Sequence, residues 1–211
     1  MTKGLAFDEI NALVGTKRSI PYEEYFGEMR LSNEEKQKRI ELAERLEDAF
    51  RDSLIFLLTM YQYSRLNWET FELKLKTGYK DALSGYVDVD EFMSVYIAGI
   101  AMDMVESTKE HIDDPYYFSA DRAMFAAENE ANASMNYQQF KNAVKAGKRR
   151  KRWNSIIDKE TRTTHRVMDG KTIKINALFS VGNSLMRFPK DTLYNPDGKE
   201  IVNCRCSITY L

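Results

Sequence analysis

At Gly147 the sequence passes from one apolar rhythm to another, and this change constrains the fold more than any other feature. Before it, apolar residues recur at steps of three and four, the spacing of a helix with one buried face. After it, β-branched and aromatic residues gather in short runs between turn dipeptides. The chain is therefore expected to be α+β: a helical N-terminal bundle, then a small C-terminal α+β module with β-hairpins. With 211 residues, 43% of them hydrophobic and 23 of them Phe or Tyr, it can fill a core by burial alone.

The helical part carries its own punctuation. Ser32-Asn33-Glu34-Glu35 is a capping box, in which the Ser32 hydroxyl accepts the Glu35 N–H and the Glu35 carboxylate reaches back. Ala43, Leu46, Phe50, Leu54, Leu57 and Tyr61 then draw one apolar stripe along a helix expected to run to about Tyr63. Asn67 is placed to cap a short helix bearing Trp68, Phe71 and Leu75, with Gly78 and Gly85 punctuating the loop after it. Asp90 begins a helix that is apolar nearly all round over residues 92–105, the expected centre of the bundle, and Asp113-Asp114-Pro115 stops it. A last helical stretch is expected from Ser119 through Ala146, broken near residues 132–136 and ended by Gly147. Beyond it, residues 151–157, 163–168, 171–175 and 204–210 are candidate strands. Asp169-Gly170 is the expected hairpin turn, and residues 176–202 are expected to be mostly loop.

Charge divides as sharply as pattern. Residues 1–140 carry 15 basic and 26 acidic side chains, a net of −11, whereas residues 141–211 carry 16 and 6, a net of +10. The densest run is Lys148, Arg149, Arg150, Lys151 and Arg152, preceded by Lys141 and Lys145 at helical spacing. Adjacent cations repel unless water or anions oppose them, and each phosphate they meet releases counterions. Nonspecific contact with double-stranded DNA is therefore expected through Lys145, Lys148, Arg149, Arg150, Lys151 and Arg152, with no base-reading motif beside them. The alternative is a plain assembly protein without a DNA role, whose acidic and basic parts neutralise each other. Trp153, next in the chain, can stack on a base or anchor the first strand in the core.

The longest nearly apolar stretch, residues 95–102, is far too short to span a bilayer, and the first residues show no signal-peptide pattern, so no membrane association is expected. Cys204 and Cys206 are too few and too close for a disulfide framework, which suits a reducing, cytoplasmic setting. Two residues apart in a strand, they point to one face. With His165 they form a candidate zinc set (His165, Cys204, Cys206), although a structural zinc normally takes four ligands. The competing reading is a pair of buried, reduced thiols with no cofactor. His165 has two further readings. It can pin a hairpin by hydrogen bonding to Asp158 or Asp169, or it can serve with Arg162 as the base of a metal-independent nuclease, cations holding the developing phosphorane. No phosphate-cradling glycine loop, Gly-x-Ser-x-Gly elbow or His-Glu-x-x-His occurs, so a non-enzyme without a small-molecule substrate is expected.

Trp153, Asp158, Thr161-Arg162, His165, Asp169-Gly170, Phe179, Phe188-Pro189, Asp191 and Asn203-Cys204-Arg205-Cys206 stand in order along the C-terminal third. This ordered set resembles the Mu F-like minor head, or head morphogenesis, proteins of tailed phages, over about residues 119–211. Ala123, Glu128 and Asn132 look like that family's preceding helix. The resemblance implies a minor capsid protein of the capsid interior or portal region, with portal, capsid or scaffold proteins and DNA as partners. It also implies assembly in the host cytoplasm before residence in the virion. The expected division is an acidic helical region over residues 1–118, expected to face portal or scaffold, and a basic module over residues 119–211. Within the module, Trp153, Asp158, Arg162, His165, Asp169 and Gly170 are expected to form a structural motif.

Overall fold

A computed structural model describes residues 21–211. The chain is α+β, and its described residues fall into two compact units. One is built from Glu41–Glu128, and the other joins Tyr22–Ile40 to Asn129–Leu211. Two long helices contribute to both: α2 (Asn33–Gln62) and α5 (Ala120–Lys145).

The first unit is helical, as the apolar spacing requires. Leu46, Leu54 and Leu57 of α2 are wholly buried, each contributing about 1.5–3 kcal/mol of transfer free energy. Against α2 packs α3 (Trp68–Ala82), whose N-cap is the expected Asn67, accepting the Thr70 N–H at 2.9 Å. Phe50 and Tyr79 meet edge to face at 5.5 Å between centroids. Gly78 lies inside α3 rather than in a loop. A Cβ there would stand 3.2 Å from that of Ala49, so the residue marks close helix packing and not a turn. Helix α4 (Glu91–Glu110) is capped by Asp90, which accepts from Met93 N at 3.1 Å. It is not buried all round. Met93, Ile97, Ala101, Met104 and Val105 face the core, while Val95 and Met102 remain 68% and 54% exposed. Asp114 then caps a single 3-10 turn, Pro115–Phe118, ahead of α5. Arg122, buried near the start of α5, donates to Thr108 Oγ1, Ser107 Oγ and the carbonyls of Met104 and Tyr117.

The second unit begins with α1 (Tyr22–Gly27) and the first turns of α2. The capping box forms as expected, with Glu35 N donating to Ser32 Oγ at 3.2 Å and Ser32 N to Glu35 Oε2 at 3.0 Å. A three-stranded antiparallel sheet has the order β2-β1-β5, with β1 (Arg150–Asn154) between β2 (Thr172–Lys174) and β5 (Ser207–Tyr210). Lys151 pairs with Ile173 on one side and Tyr210 on the other. A separate hairpin joins β3 (Phe179–Val181) to β4 (Ser184–Met186) through Gly182, at φ +57°. Two short helices complete the unit, α6 (Thr163–Arg166) and α7 (Gly198–Ile201).

Three expectations are corrected here. The segment 163–168 is not a strand, because α6 winds there and turns His165 inward. Asp169-Gly170 is not a hairpin turn between two local strands. Instead Gly170, at φ +75°, donates to the Trp153 carbonyl and leads the chain into β2 alongside β1. The real hairpin lies within residues expected to be loop, where runs of three residues are too short to display a period of two.

Helix α5 also runs unbroken through residues 132–136. Asn129, Asn132, Asn136 and Gln139 fall at helical spacing on one face, and this polar stripe is turned inward. Asn132 Nδ2 donates to the Cys204 carbonyl at 2.8 Å, and Asn136 Nδ2 to those of Cys206 and Pro189 at 3.3 Å. Asn129 Oδ1 accepts from Asn203 N at 2.8 Å, holding Asn203 in its left-handed conformation at φ +54°. Arg39 of α2, wholly buried, closes the stripe from the other side. Its guanidinium donates to Asn132 Oδ1, Asn136 Oδ1 and Gln139 Oε1 at 3.0–3.1 Å and to the Glu35 carbonyl at 3.2 Å. The amides thus read a backbone with one end and satisfy a cation with the other.

Replacing Asn132 by Leu leaves the Arg39 Nε–H and the Cys204 carbonyl without their partner. Urea unfolding is expected to show a loss of about 3 kcal/mol, the sum of two buried orphan groups. Asn142→Ala, on the exposed face of the same helix, should cost less than about 0.5 kcal/mol. Equal losses would mean that the stripe is not what holds the unit.

Candidate functional site

The segment gripped by α5 carries both cysteines into a buried cluster. Asn203, at φ +54°, turns the chain, and the sulfurs of Cys204 and Cys206 then both fall beside His165. Arg205 between them points the other way, to Asp158 and Glu28. Opposite the sulfurs, α6 presents His165, whose Nδ1 lies 3.3 Å from Cys206 Sγ and 3.6 Å from Cys204 Sγ. On its far side, Nε2 meets Glu200 Oε2 of α7 at 3.1 Å, and Thr164 Oγ1 donates to that same oxygen at 2.7 Å. His165, Glu200, Cys204 and Cys206 are each 3% exposed or less. Gly182 gives the carboxylate its room, since a Cβ there would stand 2.9 Å from Glu200 Oε1.

The protonation states are coupled. The hydrogen bond from Cys206 holds the Cys204 thiol well below its ordinary pKa. His165 and the charge of Lys190 act in the same sense, against the opposing effect of burial. Cys206, donating to Cys204 and buried, is pushed up. Burial alone would lower the His165 pKa, but the hydrogen bond and charge of Cys204 outweigh it and raise it.

The other motif residues surround this cluster without joining it. Trp153 is wholly buried, its Nε1–H donating to Ser155 Oγ at 3.0 Å and its ring meeting Phe179 at 5.1 Å, so it anchors the core. Asp158 closes its own turn, accepting from Thr161 Oγ1 at 2.7 Å and Glu160 N at 3.0 Å, and pairs with Arg205. Asp169 accepts from Ser155 N at 2.9 Å and is bridged by Arg30. Neither carboxylate is the partner of His165. Glu200 is, a residue that the sequence reading did not single out. Arg162 donates to the Val202 carbonyl at 2.6 Å. With both ring nitrogens engaged and the ring buried, His165 offers nothing to a ribose hydroxyl, so the arrangement does not favour the nuclease reading.

The basic run divides in two. Lys145, Lys148, Arg149, Arg150 and Arg152 are exposed. Lys151 alternates inward with the strand pleat, is wholly buried, and leaves the cationic surface. Its Nζ donates to the Arg187 carbonyl at 2.7 Å and sits 5.2 Å and 5.4 Å from the ring centroids of Phe140 and Phe179. Lys148, Arg149, Arg150 and Lys174 line an open groove of about 780 Å³ together with Thr172, Ile173 and Ile175.

The profile of the family described as phage Mu protein F like protein matches residues 97–209. The chain belongs to this family. No curated protein and no solved structure matches it. The Mu F-like family is a phage head morphogenesis, or minor capsid, family. Its matched span in this chain holds the asparagine stripe, the histidine–cysteine cluster and, of the strands among the described residues, all but the last residue of β5. It starts inside α4, upstream of residue 119, where the motif set alone had suggested the resemblance begins.

Within this Mu F-like module the buried lysine makes a testable contribution. Burial lowers the Lys151 pKa from 10.5 to about 8, so above that pH the native state binds fewer protons than the unfolded chain. Stability contributed at this site therefore rises as pH climbs from about 8 toward 10.5. Between about pH 8 and 9.5 the wild type is expected to gain on the order of 1 kcal/mol relative to Lys151→Met in parallel denaturant titrations. A constant difference across that window would place the ammonium in water.

Proposed function

We infer that the protein is a minor capsid protein of a tailed phage or prophage, built into the head near the portal or in the capsid interior. It touches DNA there without reading sequence. The observation that carries the head assignment is the family match across residues 97–209, which contains every motif element of the C-terminal third. Assembly in the host cytoplasm followed by residence in the virion accords with it. No helix among the described residues is long and apolar enough to cross a membrane.

The DNA contact rests on the exposed cations. Lys145, Lys148, Arg149, Arg150 and Arg152, with Lys174 in the same groove lining as Lys148, Arg149 and Arg150, present an array with no base-reading motif, suited to phosphates and indifferent to sequence. The acidic helical region, residues 1–118, is proposed to face portal or scaffold. Its exposed Val95 and Met102, one helical face of α4, are the kind of apolar surface that a partner covers.

Two measurements test this reading. Heads purified from the phage that encodes the protein should contain it in few copies, and heads lacking it throughout assembly would remove the capsid assignment. The purified protein should bind duplex DNA of any sequence. With about four phosphate contacts, affinity should fall roughly 100-fold between about 50 and 200 mM salt. Combined reversal of Lys148, Arg149 and Arg150 to Glu should flatten that dependence. Salt-independent or absent binding would leave an assembly protein with no DNA role.

A further inference from the structure

We propose that His165 Nδ1 and the sulfurs of Cys204 and Cys206 bind a zinc ion, with Glu200 holding the imidazole in register. The geometry carries it. In a tetrahedral site with Zn–S near 2.3 Å and Zn–N near 2.0 Å, nitrogen and sulfur ligands stand about 3.5 Å apart. Here Nδ1 lies 3.3 Å and 3.6 Å from the two sulfurs, and the three donor atoms all fall within 4.8 Å of one another.

The surroundings argue for a metal rather than for two thiols filling a core. A cysteine buried for its apolar character needs no carboxylate behind its neighbour, yet Glu200, 2% exposed, receives the Nε2–H of His165. A carboxylate on the far nitrogen is what fixes the tautomer and raises the basicity of a metal-bound histidine. Charge also balances. Two thiolates would neutralise Zn²⁺, and the Lys190 ammonium, which acts on Cys204, opposes the charge of buried Glu200. The donors are held in advance. Asn132 and Asn136 grip the carbonyls of both cysteines, and Ser155 Oγ donates to the His165 carbonyl at 2.8 Å. Three protein ligands leave one position for a water molecule. The ion would tie α6 to the segment before β5, two parts of the chain about 40 residues apart in sequence.

The test uses the full chain, expressed with added zinc and purified under a phosphine reductant. Elemental analysis should give about one zinc per chain. The metal-free protein titrated with Co²⁺ should develop the near-ultraviolet thiolate charge-transfer band. Cys204→Ser and Cys206→Ser should lose both. Glu200→Gln should keep the fold by circular dichroism but bind zinc 10- to 100-fold more weakly in competition with a chromogenic chelator. Should the cysteine variants fail to fold, the wild-type titration decides alone. A wild-type chain that takes up neither ion, or binds Co²⁺ without the band, overturns the site. Unchanged affinity in Glu200→Gln overturns the role given to that carboxylate.

Discussion

A guanidinium with no water around it organises the second unit. Arg39 is wholly buried, and burial draws its pKa down to about 10, yet no carboxylate contacts it directly among its hydrogen-bond partners. It is satisfied by amide oxygens and a carbonyl. This fixes which way the amides of Asn132 and Asn136 face, because their oxygens are committed to the cation and their NH₂ groups must look elsewhere. They look at the carbonyls of Cys204 and Cys206. A partly satisfied buried network would cost more than an apolar core, so arginine, amides and extended segment form together or not at all.

The functional consequence is precision. The cysteine sulfurs lie where they do because their own carbonyls are gripped one residue apart by a rigid helix. His165 lies where it does because α6 is a single helical turn whose carbonyl is held by Ser155. The geometry of the cluster rests on backbone positioning from two directions, while the cations of the basic run stay at the exposed surface of β1 and of the turn before it.

Much of this was legible in advance, and the failures have a pattern. Caps were readable because they are local: Ser32, Asn67, Asp90 and Ser119 each accept the backbone N–H that their position demands. The break at Gly147 was readable because periodicity is local too. What could not be read was pairing across long separations. The asparagines of α5 looked like helix breakers since their partners lie about 70 residues away, and Thr163-Thr164 looked like a strand since nothing nearby says that His165 must point inward. Glu200 went unnoticed because a lone acid in a polar turn carries no signal until the fold sets a histidine beside it. Lys151 was counted with its charged neighbours, although the strand pleat turns alternate residues inward.

The sheet order bears on how the second unit is made. β1 lies between β2, about 20 residues downstream, and β5, more than 50 residues downstream. A ribosome releasing the chain in order would expose β1 with one flank bare until β5, Ser207–Tyr210, has emerged. Closing so large a loop costs entropy before any contact returns it. The second unit therefore closes only when β5 joins, however early β1 and β2 have paired.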